Sequence, residues 1–210
     1  MEIQNSIFNY ATLLKQVKAR VALAQKKAIY SANEEMLFMY WDIGKLLCES
    51  QKQIGWGNNA LEQLANDLKN DYPEMKGFSV RNCQFMIQFY NEYNQQLTNT
   101  KRAVSYLNNN EIVLPISKLG WSHNITLMQR TKDIKARYWY MIQCLKNGWS
   151  RDFLIEAIKQ DYYHSHGALA SNFDTTLPEI QAKQVKETLK DPYIFDMLTF
   201  TEEYDERDIE

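Results

Sequence analysis

Residues 7–28 read IFNYATLLKQVKARVALAQKKA, and their spacing decides what kind of molecule this is. Ile7, Tyr10, Leu14, Val17, Val21, Ala24 and Ala28 recur in steps of three and four. That is the heptad-like stripe of an α-helix, not the strict alternation of a strand. A second stripe follows out of phase: Ile29, Ala32, Met36, Tyr40, Ile43 and Leu47. The break between them reads as a stutter in one long helix or as a turn joining two. The helix can pack inside its own chain or form a dimer seam, and the spacing alone leaves both open.

Composition extends the helical reading to the whole chain. In 210 residues there are 7 Gly and 4 Pro, too few for the many turns of a sandwich or barrel. A hydrophobic content of 45% with 24% charged residues is that of a folded chain with a real core. The expected fold is all-α: a multi-helix bundle with a long N-terminal helix and minor β at most. Cys48, Cys83 and Cys144 lack both metal-ligand and disulfide spacing, so they read as buried thiols of a reducing, cytoplasmic compartment. The N-terminus has no signal-peptide pattern, and the longest apolar run, Met36–Trp41, is too short to span a bilayer. No membrane partner is expected.

A recurrent unit organises the rest. Gly, an aromatic and a small residue recur as Gly55-Trp56-Gly57, Gly77-Phe78-Ser79, Gly120-Trp121-Ser122 and Gly148-Trp149-Ser150. The third residue suits an N-cap, and the aromatic suits a hydrophobic staple against the first helical turn. Helices are predicted over 58–71, 79–94, 122–131, 133–146, 150–163 and 178–189. Residues 95–115 are polar and turn-rich and read as a surface loop, with a short strand or wing over 112–116. The helices 58–71 and 79–94 can form a helix-turn-helix unit, although the joint is long for one.

Charge is unevenly spread. Residues 1–173 hold 20 Lys and Arg against 15 Asp and Glu, whereas residues 174–210 hold 4 against 11. A mildly basic body suits an anionic partner, and ordinary solvated charge explains it equally well. On the helix over 79–94, Arg81, Asn82, Gln84 and Gln88, with Lys76 just ahead of it, could reach phosphates or base edges. Against that, Phe85 and Phe89 lie on a different face from Cys83, Met86, Ile87 and Tyr90, as in a helix sandwiched in a core. His164 and His166 follow Asp161 but lack the second ligand pair of a zinc site, so they read as polar helix-end residues. His123 reads as a helix-start or exposed polar group. Neither a phosphate loop, a His-Glu-x-x-His nor a Gly-x-Ser-x-Gly is present, and no catalytic residue, metal ligand or cofactor is expected.

These motifs together resemble the N-terminal helical domain of the YhcG-like family, bacterial proteins that join it to a PD-(D/E)XK nuclease domain. The likeness is carried by Asn33 with Tyr40-Trp41-Asp42-Ile43-Gly44, Gly55-Trp56-Gly57, Tyr72-Pro73, and Lys76-Gly77-Phe78-Ser79 with Arg81-Asn82, Met86 and Phe89-Tyr90. It continues through Trp121-Ser122-His123-Asn124, Gly148-Trp149-Ser150, Asn172-Phe173 and Leu189-Lys190-Asp191-Pro192-Tyr193 with Phe195-Asp196. Most of these residues read as structural. Where the family has Pro before Trp-Ser-His, this chain has Gly120. The resemblance implies a helical domain over 1–173 and an acidic connector over 174–210 leading towards a nuclease domain. It implies a non-catalytic accessory module that helps a nuclease find nucleic acid or assemble, with a nuclease domain in cis in longer relatives; taken with the basic body, it favours DNA binding or target recognition. The alternative is a protein-interaction or homodimerisation module acting through the long N-terminal helix.

Overall fold

The computed structural model describes residues 2–54, 58–102, 115–167 and 182–194, and no strand occurs among them. Both stripes lie on one unbroken helix, α1 (Glu2–Ile54). The break in phase is therefore a change of face within a single helix. Seven helices follow one another in all: α2 (Asn58–Asp71), α3 (Val80–Arg102), α4 (Trp121–Arg130), α5 (Ile134–Asn147), α6 (Arg151–Lys159) and α7 (Ala182–Leu189) complete the described set.

The core forms where the second half of α1 meets α3. Met36, Leu37, Tyr40 and Trp41 from α1 pack with Met86, Phe89 and Tyr93 from α3, all buried. Gly44 sets how closely the two helices approach, because a Cβ there would run into the backbone carbonyl of Met86. Trp121 enters from the first residue of α4 and is fully buried. Its ring lies 4.9 Å from that of Tyr40 and 5.0 Å from that of Phe89. α3 is thus sandwiched, as its two apolar faces foretold. α5 is fastened to α3 by Arg137, buried and charged. Its guanidinium donates to Glu92 Oε2 and Tyr93 OH, each at 2.7 Å, and to the Thr131 carbonyl at 2.6 Å. Such a charge is tolerable in a core only because its donors are satisfied.

Of the four predicted helix starts two hold, one shifts and one lies outside the described residues. Ser79 Oγ accepts from Asn82 N and Ser150 Oγ accepts from Phe153 N, both at 3.2 Å. In the third unit the helix begins at Trp121 with Gly120 as its N-cap, so Ser122 does not cap it. Trp56 and Gly57 lie outside the described residues. Gly148, at φ 60°, ends α5 in the left-handed conformation that favours glycine.

Three boundaries differ from expectation. α3 runs through residues 95–102, because that stretch, though polar, contains neither Gly nor Pro to stop it. The helix expected over 150–163 ends at Lys159; Asp161 then takes φ 49° and a π-type turn spans Tyr163–Gly167. Of the expected wing over 112–116, residues 112–114 lie outside the described set, and Ile116 sits in a 3-10 turn with Ser117 and Lys118. The expected boundary after residue 173 also lies outside the described residues. Beyond it, residues 182–194 join the body: Ile194 is buried in the same core and Tyr193 stacks edge-on to Tyr40 at 6.4 Å. No described helix is long and apolar enough to cross a membrane.

Candidate nucleic-acid interface

Two features stand out: a cleft where three helix starts converge, and an exposed helical arm. The cleft has a volume of about 560 Å³, with Ser79, Arg81 and Asn82 from the start of α3 in its wall. Ser122 and His123 from α4, Ser150 to Asp152 from α6, and Glu187 and Lys190 to Tyr193 from the chain's acidic end complete most of it. Residues far apart in sequence thus meet at one place.

Hydrogen bonding explains how they are held. Asn82 Nδ2 donates to the Gly77 carbonyl at 2.6 Å, and Asn82 Oδ1 accepts from Trp121 Nε1 at 2.8 Å. Both ends of this buried amide are therefore committed to joining the start of α3 to α4. Asn124 Nδ2 faces the carbonyls of Ile116, Leu119 and Gly120 at 3.1–3.2 Å and ties α4 to the turn before it. Asp191 reaches back to the start of α4, where its Oδ2 accepts from Ser122 N at 2.8 Å. A carboxylate suits this position, since a helix start has free N–H groups and a positive dipole end. Gly120 leaves room for it: a Cβ there would lie 2.6 Å from the same oxygen.

His123 lies in the first turn of α4, as one of its two expected roles has it, but is buried rather than exposed, and its Nε2 lies 3.0 Å from the Trp149 carbonyl. A carbonyl can only accept, so Nε2 carries the proton and Nδ1 is left as a buried acceptor without a partner. Burial holds the ring below the ordinary imidazole range, against the opposing pull of that hydrogen bond, Asp191 and Glu187. The unfolded chain therefore binds a proton before the folded one does. Stability should be present above the unfolded pKa of about 6.5 and fall as pH drops below it. Denaturant unfolding at about pH 7.5 and 5.5 should show a smaller acid loss in H123Q than in the wild type. Equal losses would mean that His123 contributes nothing to the acid limb.

The remaining site residues separate. Arg81 is exposed at the cleft, its guanidinium 5.5 Å from the Phe85 ring centroid. Gln84 is exposed but outside the cleft lining, as is Lys76 in the 3-10 turn ahead of α3. Gln88 Nε2 donates to Glu92 Oε1 at 2.6 Å. Sequence reasoning missed Arg151, one residue after Ser150 where Arg81 is two after Ser79; the repeated unit was the signal available. His164 pairs with the exposed Asp161 at 2.7 Å, and among the described residues no three His, Cys, Asp or Glu come together as metal ligands would.

Charge decides between cleft and arm. The cleft sets Arg81, Arg151 and Lys190 against Asp152, Glu187 and Asp191, so its formal charge cancels. The arm is different. Residues 10–25 of α1 are all exposed, and the body begins to cover the helix only near Tyr30. Between Glu2 and Glu34 there are five cationic side chains, Lys15, Lys18, Arg20, Lys26 and Lys27, and not one acidic residue. The remainder of the body, residues 34–173, holds 15 basic against 14 acidic side chains. The basic excess of the body is therefore almost wholly the arm's.

The family model for the DUF1016 N-terminal domain matches residues 16–165. A relative in Escherichia coli (strain K12), named "Putative nuclease YhcG", is 24% identical over 213 residues, an overlap that covers 89% of this chain and 55% of the relative. The chain thus spans about half the length of that relative. No solved structure gives a significant match.

Proposed function

The chain belongs to the DUF1016 N-terminal domain family, and from that premise we propose that it is a non-catalytic module that holds a nuclease on duplex DNA. The observation that carries this reading is the exposed arm with five cations and no acid between Glu2 and Glu34. At 1.5 Å per residue, residues 2–29 extend roughly 40 Å, enough to follow a duplex over about one helical turn. The contacts are to phosphates and so carry little sequence preference. Arg81, at the charge-balanced cleft, adds at most one further phosphate contact.

The relative's name supports the association with a nuclease, and cutting is assigned here to a separate domain. Titration of a labelled duplex, read by fluorescence anisotropy, tests the reading. Released counterions should make log affinity fall linearly with log salt, at a slope of about −0.9 per phosphate neutralised, approaching −3 to −4 for the four exposed cations Lys15, Lys18, Arg20 and Lys27. Single-stranded DNA of the same length should give a shallower slope, about −0.7 per contact. Affinity that ignores salt between about 50 and 200 mM would remove the arm's charges from the interaction and with them this proposal.

A further inference from the structure

The arm has an apolar side as well as a charged one, and the two point in different directions. At about 100° per residue, Tyr10, Leu14, Val17, Val21, Ala24 and Ala28 fall on one line along α1. The residues the body covers, Tyr30, Asn33, Leu37, Tyr40, Gly44 and Cys48 among them, fall roughly on the opposite side. The second stripe of the sequence, turned about 80° from the first, forms one edge of that covered side. The first stripe does not serve the chain's own core. Tyr10 is 66% exposed, Leu14 38%, Val17 50% and Val21 51%; further along the same side, over the body, Leu46 is 63% exposed. The cations lie off this line. A lone helix with no acidic residue to make i,i+4 ion pairs has little to hold it, and such an arm needs a partner on its apolar side.

We infer that the stripe is the seam of a parallel homodimer, with α1 of a second copy as its occupant. The heptad pattern is self-complementary, placing Leu14, Val21 and Ala28 at one seam position and Tyr10, Val17 and Ala24 at the other. Flanking charge selects the parallel direction. In a parallel in-register pair, Leu13 lies beside the partner's Lys18, Arg20 beside the partner's Gln25, and Lys27 beside the partner's Ala32, with no like-charge pair among them. The antiparallel register that overlaps the same stripe instead sets Lys18 against the partner's Lys18 and Arg20 against the partner's Arg20. Because the body sits on the far side of α1, two bodies can flank the seam at one end without meeting across it. This inference goes beyond the DNA reading and does not rest on it.

Light scattering on the whole chain, without DNA, should give twice the mass of one chain. V21E should return it to one, with the helical circular dichroism of the body retained. Direction is read by single cysteines, since Cys48, Cys83 and Cys144 are all buried. A24C, on the seam, should form a disulfide-linked dimer under mild oxidation, and A19C, on the side away from the seam, should not. The mass of a single chain at every concentration overturns the inference, as it would if the chain's own acidic residues covered the arm. A doubled mass that survives V21E overturns it too. A dimer lost in V21E but without a crosslink at position 24 overturns the parallel arrangement.

Discussion

Trp121→Ala should cost the protein a large part of its stability, on the order of 4–8 kcal/mol. The indole is fully buried and packs between Tyr40 of α1 and Phe89 of α3, so its removal leaves a cavity at the meeting point of three helices. Truncating a buried Trp costs about 3–5 kcal/mol. The ring also donates Nε1–H to Asn82 Oδ1, and Asn82 in turn holds Gly77. Leaving that buried oxygen unpaired adds roughly 1–3 kcal/mol. Since a domain of this kind is stable by only about 5–15 kcal/mol, the variant should melt roughly 10–25 °C lower, or fail to accumulate folded. Trp121→Phe separates the two effects. It keeps most of the ring contacts and loses the hydrogen bond, so chemical denaturation should show a loss of about 1–3 kcal/mol. If both variants cost the same, packing is not what Trp121 contributes.

How much of this was legible depends on how local each signal is. Ser79 and Ser150 announced their helices because capping is written in neighbouring residues. Ser122 misled because the start of α4 is satisfied by Asp191, 69 positions away in sequence. Nothing near Ser122 records that partner. The polar residues 95–102 suggested a loop, but polarity does not break a helix, and the stretch holds no residue that does. Asn82 and His123 are polar residues whose burial is a tertiary fact; Asn82 is hydrogen-bonded to Trp121 of α4 and His123 to the turn before α6 rather than turned to solvent. The cleft could not be seen at all, since its walls span residues 79 to 193. The two stripes of α1 were visible from the start. Their phase turns the second by only about 80° from the first; that the body also covers the far side, through Asn33, Leu37, Trp41 and Cys48, is a tertiary fact.

The arm's charges carry the largest expected effect on binding. K15Q, K18Q, R20Q and K27Q combined remove four of its five cations and leave Lys26 in place. Lys, Arg and Gln have similar helix propensities, so the arm should stay helical. None of the four lies in the apolar stripe, but Lys18, Arg20 and Lys27 flank it, so light scattering on the variant checks that pairing between copies is kept. Each lost phosphate contact lowers the salt slope by about 0.9, and four of them should weaken duplex binding on the order of 100- to 1,000-fold near 0.1 M salt. R81A, which removes one exposed guanidinium at a charge-balanced cleft, should change the slope by at most about one contact. The slope of log affinity against log salt, measured on one duplex for the wild type and the four-substitution variant, therefore tests the account at its centre. The account predicts a slope in the variant shallower by about 3 to 4. An unchanged slope, with the variant still folded, would contradict it and place the DNA contact, if there is one, elsewhere on the molecule.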